Sequence, residues 1–215
     1  MTMKYTLLIA YFFLSFGAYS SESEWRLGVF VSPMMTDFYG PNLSYYTPKF
    51  GFGVGMNLER HMGEKLSLMS GVEYSMNGAI YTTTSYLKSA EYNYYKLNLS
   101  YLTIPVLLRF QTKGSIKFYI AGGGFLSFLT GFQLSVKEGN EYIEFINSTK
   151  GFNTIDAGLA METGFSFPFG EKATLDIGLK ERLGMMNVID IKNNTNPDIL
   201  KTNSFGLLLR LKLNL

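Results

Sequence analysis

The chain has 215 residues, a formal net charge of +2, 17% charged and 16% aromatic residues, and no cysteine. Aromatic richness with low charge excludes a disordered chain, and nearly balanced charge without a Lys/Arg cluster excludes a basic-patch nucleic-acid binder. The absence of cysteine removes disulfides, cysteine–zinc sites and thiol catalysis together.

The N-terminus reads as an export address. Lys4 supplies a positive start, Tyr5 to Phe16 is apolar apart from Thr6 and Ser15, and Ala18 and Ser20 offer small residues for cleavage after Ser20. The run is too short for a membrane-spanning helix, which needs roughly 20 apolar residues. The expected division is therefore a signal peptide over 1–20 and one domain over 21–215. No later window is long and apolar enough for a transmembrane helix, so a helical membrane protein is excluded.

From Trp25 onward the dominant pattern is alternation with period two. It predicts eight strands, over 25–32, 50–60, 65–76, 99–111, 116–128, 154–167, 172–183 and 204–215. In the second, Phe50, Phe52, Val54, Met56 and Leu58 alternate with Gly51, Gly53, Gly55, Asn57 and Glu59. The same two-step pattern runs from Leu102 to Phe110, from Ile155 to Phe167 and from Phe205 to Leu215. The fifth segment, 116–128, is apolar on both parities and carries Gly122-Gly123-Gly124, so its faces stay unassigned. Pro105 removes a ladder donor in the fourth and calls for a bulge or a water-exposed lumen position.

The connections alternate in length. His61–Glu64, Thr112–Ser115 and Pro168–Glu171 are short and each holds a glycine, whereas 33–49, 77–98, 129–153 and 184–203 are long. Four long loops would count against a compact soluble domain, but short periplasmic turns and long extracellular loops are the plan of an outer-membrane barrel. The fold class is thus all-β: an eight-stranded antiparallel up-and-down transmembrane barrel. In hydrocarbon every backbone group must be paired, so the sheet must close.

Charge follows parity. Arg26, Glu59, Lys65, Glu73, Arg109, Asp156, Glu162, Asp176, Lys180, Arg210 and Lys212 sit opposite the apolar positions, as expected if the apolar face meets lipid. Glu181, near a strand end, is the possible exception. Aromatics fall near both expected interfaces, with Trp25, Phe110, Phe165 and Phe167 at the periplasmic end and Phe50, Tyr74 and Phe205 at the other.

The stretch Tyr101-Leu102-Thr103-Ile104-Pro105-Val106-Leu107-Leu108-Arg109-Phe110 resembles a characteristic strand of the PorT-like outer-membrane β-barrel (porin-family) domain, and Ala121 to Gly124 resembles its next, glycine-rich strand. The layout also resembles small OmpA/OmpX-type barrels. The resemblance implies a single closed barrel in the outer membrane of a Gram-negative bacterium, delivered by the barrel-assembly machinery; it does not imply one activity.

The chemistry on offer is sparse. His61, the single histidine, falls in an expected periplasmic turn, reads as a solvated residue and has no second histidine for a metal. An eight-stranded barrel is just wide enough for side chains to fill it. Arg26, Glu59, Glu73, Arg109, Asp156, Glu162, Asp176, Lys180, Arg210 and Lys212 are therefore expected to form a charge network in a plugged lumen, with no catalytic residue, metal or cofactor. Tyr81, Tyr86, Tyr92, Tyr94 and Tyr95 make the connection 77–98 tyrosine-rich and are the candidates for contact with an extracellular or envelope partner; equally, the segment reads as an extended, partly stranded hairpin rising above the membrane. The expected protein is a monomer surrounded by outer-membrane lipid, without enzymatic activity, acting structurally, in adhesion or in envelope assembly. A narrow channel is the alternative; an outer-membrane enzyme and a soluble periplasmic ligand-binding barrel come behind it.

Overall fold

A computed structural model describes residues 25–41, 45–84, 92–138, 141–149, 151–170, 172–189 and 199–215. The expected signal peptide lies outside them. Among the described residues there are nine strands: β1 Trp25–Tyr39, β2 Tyr46–His61, β3 Leu66–Thr84, β4 Tyr92–Gln111, β5 Lys117–Glu138, β6 Glu141–Ile146, β7 Ile155–Phe169, β8 Ala173–Gly184 and β9 Lys201–Asn214. All neighbouring pairs are antiparallel, and eight strands close a ring in the order β1-β2-β3-β4-β5-β7-β8-β9, with β9 returning to β1. The ninth, β6, pairs only with β5 and extends the sheet beyond the ring.

The three short turns hold Gly63, Gly114 and Gly170 at positive φ (119°, 130° and 75°), the conformation for which glycine carries no Cβ penalty. The long connections are shorter than alternation implied, because the strands run on. β1 continues through 33–39, β3 and β4 reach 84 and 92, and β5 runs on to Glu138 and pairs antiparallel with β6.

The faces follow the expected parities. Val29, Val31, Phe52, Val54, Met56, Ile104, Val106, Leu108, Leu207 and Leu209 are exposed outward, while Glu59, Glu73, Arg109, Asp176 and Arg210 are buried inside. The ambiguous strand β5 now has its faces: Phe118, Ile120, Leu126 and Phe128 point out, Tyr119, Ala121, Phe125 and Ser127 point in. Of its glycine run, Gly122 and Gly124 are on the outside, and Gly123 faces the lumen against the Val106 carbonyl. Lys65 departs from its expected inward place: it is exposed in the turn before β3. Opposite Pro105 the β3–β4 ladder skips from Ser70–Val106 to Glu73–Thr103, and the Ser70 hydroxyl donates to the Pro105 carbonyl at 2.9 Å. The register is the same on either side of the gap, so no bulge accommodates that proline, which lies on the lumen-facing parity of β4.

Candidate functional site

Among the described residues the lumen holds six buried cations, Arg109, Lys180, Arg182, Arg210 and Lys212 with Lys49 higher up on β2, and five buried carboxylates, Glu59, Glu73, Asp156, Glu162 and Asp176. They come from six strands, because every second residue of each strand must point inward. Burying a lone charge is costly, so their pairing decides whether the barrel is stable.

Near the periplasmic end Asp176 is the hub. Arg109 Nη1 donates to it at 2.6 Å, Lys212 Nζ stands 3.1 Å away and Arg210 Nη1 3.6 Å. Ser166 Oγ accepts from Arg109 Nη2 at 2.7 Å and donates to Asp176 Oδ1 at 2.6 Å. Lys212 also reaches Glu59 at 3.1 Å, and Arg210 Nη2 grips both oxygens of Glu162 at 3.0 and 2.8 Å. Higher up, Glu73 receives Lys180 and lies 3.5 Å from Arg182 Nη1. Asp156 accepts from the Thr202 hydroxyl at 2.6 Å.

Aromatic rings complete the cations' surroundings. The Arg109 guanidinium lies 3.8 Å from the centre of the Tyr119 ring, and Phe30 sits beneath both Lys180 (4.8 Å) and Arg210 (5.3 Å). Such faces attract a desolvated cation where water no longer can. Apolar side chains of Met69, Leu107, Ala121, Phe125 and Ala160 share the lumen with them.

Above the charges the lumen turns hydrophobic. Phe38, Ala79, Leu99, Tyr101, Phe132, Val188 and Leu200 form one buried cluster. From the connection after β8, expected as an open loop, Val188 and Leu200 belong to it. Asn153 N donates to Val188 O and its side-chain amide to Asn187 O and Ile189 O, while Val188 N donates to Leu200 O. Rings of Phe38, Tyr46, Tyr81 and Tyr95 follow one another across β1 to β4 with centroids 5.7, 5.1 and 6.1 Å apart.

The expected site residues thus fall into distinct places. Nine of the ten network candidates are among the buried charges; Arg26 is half-buried at the periplasmic end of β1, in register with Glu59. Arg182 belongs to the same set and was missed, although its parity with Asp176 and Lys180 was visible. His61 is corrected: it ends β2 rather than lying free in a turn. Its Nδ1 is 3.2 Å from Ser67 Oγ, its Nε2 3.9 Å from Glu59, and its side chain is only 12% exposed.

The five tyrosines do not form one loop surface. Tyr86 lies outside the described residues, and Tyr92 is on β4, opposite Thr84. Tyr81 and Tyr95 line the inner mouth, whereas Tyr94 faces out. On that outer face Lys137 lies 5.5 Å over the Tyr94 ring and Lys96 5.5 Å over Tyr142, and Gln133 donates to Glu144 at 2.6 Å. Strands β4 to β6 therefore carry a polar, tyrosine- and lysine-bearing face beyond the apolar belt.

Solved structures with a similar course include Neisserial surface protein A (13% identity, TM-score 0.47, covering 89% of this chain and 97% of that one). The outer membrane protein OprG from Pseudomonas aeruginosa (12%, 0.49, 90% and 96%) and Ail, the attachment invasion locus protein of Yersinia pestis (8%, 0.42, 88% and 99%), are further examples. Likenesses at this level say nothing of ligand or role. None of the curated proteins matches the sequence. The family model of the outer membrane protein beta-barrel domain matches residues 17–190, from before β1 to the connection between β8 and β9. With its closed eight-stranded ring and outward apolar belt, this chain belongs to the outer membrane protein β-barrel domain family.

Proposed function

We propose that the protein is a non-enzymatic, non-conducting barrel that acts through the face raised above the membrane by β4 to β6, in adhesion or envelope assembly. The observation that carries this reading is the filled lumen. Arg109, Arg210, Tyr101, Tyr119, Leu99, Leu107, Leu208 and Lys212 are each less than 2% exposed, and the charges among them are engaged with one another. The resources left for contact lie outside: Tyr94, Lys96, Lys137 and Tyr142 on a rigid sheet, where aromatic and hydrogen-bonding groups bind at low entropic cost. The single histidine supports the absence of catalysis, since its hydroxyl neighbour Ser67 is fully buried. Cleavage near residue 20, delivery by the barrel-assembly machinery, a monomeric state and kinship with PorT-like barrels belong to the same proposal.

Planar-bilayer recording tests it. The purified protein should give no open-channel steps; steady conductance above background would overturn the plugged lumen and favour a narrow channel. In parallel, cells displaying the Tyr94→Ser/Lys137→Ser/Tyr142→Ser variant should lose most of their adherence while the barrel keeps its heat-modifiable gel mobility. Unchanged adherence would remove the role given to that face.

A further inference from the structure

One charged residue breaks the outer belt. Glu181 on β8 is exposed, with Leu179 and Met185 exposed below and above it. Its register partners on the neighbouring strands are Met161 and Phe205, both exposed on the same outer face. Lys180 and Arg182, on either side in sequence, point inward to Glu73, and among the described residues no cation pairs with Glu181.

Its depth is informative. Glu181 stands eight residues beyond Ala173, where β8 begins. At about 3.3 Å per residue and a tilt near 40°, it lies about 20 Å up an apolar belt roughly 25 Å tall. That is just beneath the outer interface, the level of the first carbons of outer-leaflet acyl chains.

A groove starts at this carboxyl. One hollow of about 180 Å³ is lined by Ile120, Met161, Thr163, Leu179, Glu181 and Phe205, together with Glu162 and Lys180, whose side chains turn into the lumen. A second, of about 210 Å³, adds Leu66, Leu108, Phe110 and Gly122 and shares Ile120 and Met161 with the first. Gly122 forms part of its floor, and nothing lies within 4 Å of where its Cβ would stand.

We propose that Glu181 and this groove hold an acyl chain of an outer-leaflet lipid that bears a hydrogen-bond donor, a hydroxyl or amide N–H, close to its carbonyl. The carboxyl accepts from that donor, and the chain runs down the groove over Met161 and Gly122. The occupant is chosen by complementarity: a bare hydrocarbon chain leaves the carboxyl unpaired, which is unfavourable in lipid. A second copy docked about a two-fold axis would set Glu181 against Glu181.

The test uses the folded protein in detergent and two synthetic phosphatidylcholines identical except that one carries 3-hydroxytetradecanoyl and the other tetradecanoyl chains. Native mass spectrometry should show the wild type retaining the hydroxylated lipid in roughly fivefold preference, the size of one net hydrogen bond. Glu181→Gln should keep most of the preference, because its amide oxygen still accepts. Glu181→Leu should abolish it, and Gly122→Leu should lower occupancy by both lipids while leaving the preference. Equal retention by the wild type, or a preference that survives Glu181→Leu, would overturn the proposal. A dimer that cross-links through β8 in the wild type and excludes both lipids would overturn it in favour of a second copy.

Discussion

Arg109→Ala is expected to lower the stability of the folded barrel by about 3–5 kcal/mol, the cost of leaving buried charges without their partner. Arg109 is fully buried, holds Asp176 at 2.6 Å and Ser166 at 2.7 Å, faces Glu59 at 3.7 Å and lies on the Tyr119 ring. Removing it leaves Lys212 and Arg210 with three carboxylates, Glu59, Glu162 and Asp176, and opens a void that the Tyr119 ring cannot fill. Urea unfolding of protein refolded into lipid vesicles measures the loss. Asp176→Asn on its own should also destabilise, because Lys212 and Arg210 share that carboxylate. The double variant Arg109→Ala/Asp176→Asn should cost clearly less than the sum, since the two groups are in contact. Additive effects within about 0.5 kcal/mol would mean that the pair does not act as a unit.

The network was legible in the sequence only as a parity. Lipid outside drives the charges of the belt inward, Glu181 excepted, so Glu59, Glu73, Arg109, Asp176 and Arg210 declared their face by alternation alone. Who meets whom was not legible. Arg109 and Asp176 are 67 residues apart, and their contact depends on the stagger of strands round the ring, which no local pattern encodes. Segment 116–128 hid its faces because apolar residues stand on both parities. Tyr119 and Phe125 enter the lumen because neighbouring strands leave space there, a fact carried by other segments. The upper strand ends were read as loops for a related reason. Beyond the hydrocarbon, alternation is no longer enforced: Asp37 sits on the outer parity of β1, and Tyr81, Tyr94 and Tyr95 extend the ladder where composition suggested a loop. The apolar cap from Val188 and Leu200 rests on hydrogen bonds between distant segments, so it left no periodic trace.

Gly178→Val is expected to cost about 3 kcal/mol or more, or to prevent refolding, for the same reason that Tyr119 can enter the lumen. Gly178 on β8 stands opposite Gly164 on β7, both on the inner face. A Cβ on Gly178 would run into the Thr163 carbonyl and the Tyr119 hydroxyl, and one on Gly164 into the Ile177 carbonyl. The paired glycines therefore let two backbones lie bare beneath the phenol, and the phenol in turn carries Arg109. The fraction of heat-modifiable protein after refolding reads the effect, with Gly122→Val as the control. Gly122 faces outward with open space at its Cβ position, so that variant should stay within about 0.5 kcal/mol of the parent. Adding Tyr119→Phe to Gly178→Val removes the hydroxyl clash but not the backbone one. It should recover part of the loss and leave the rest, whereas complete recovery would show that the glycine pair serves only the phenol and not the approach of β7 to β8.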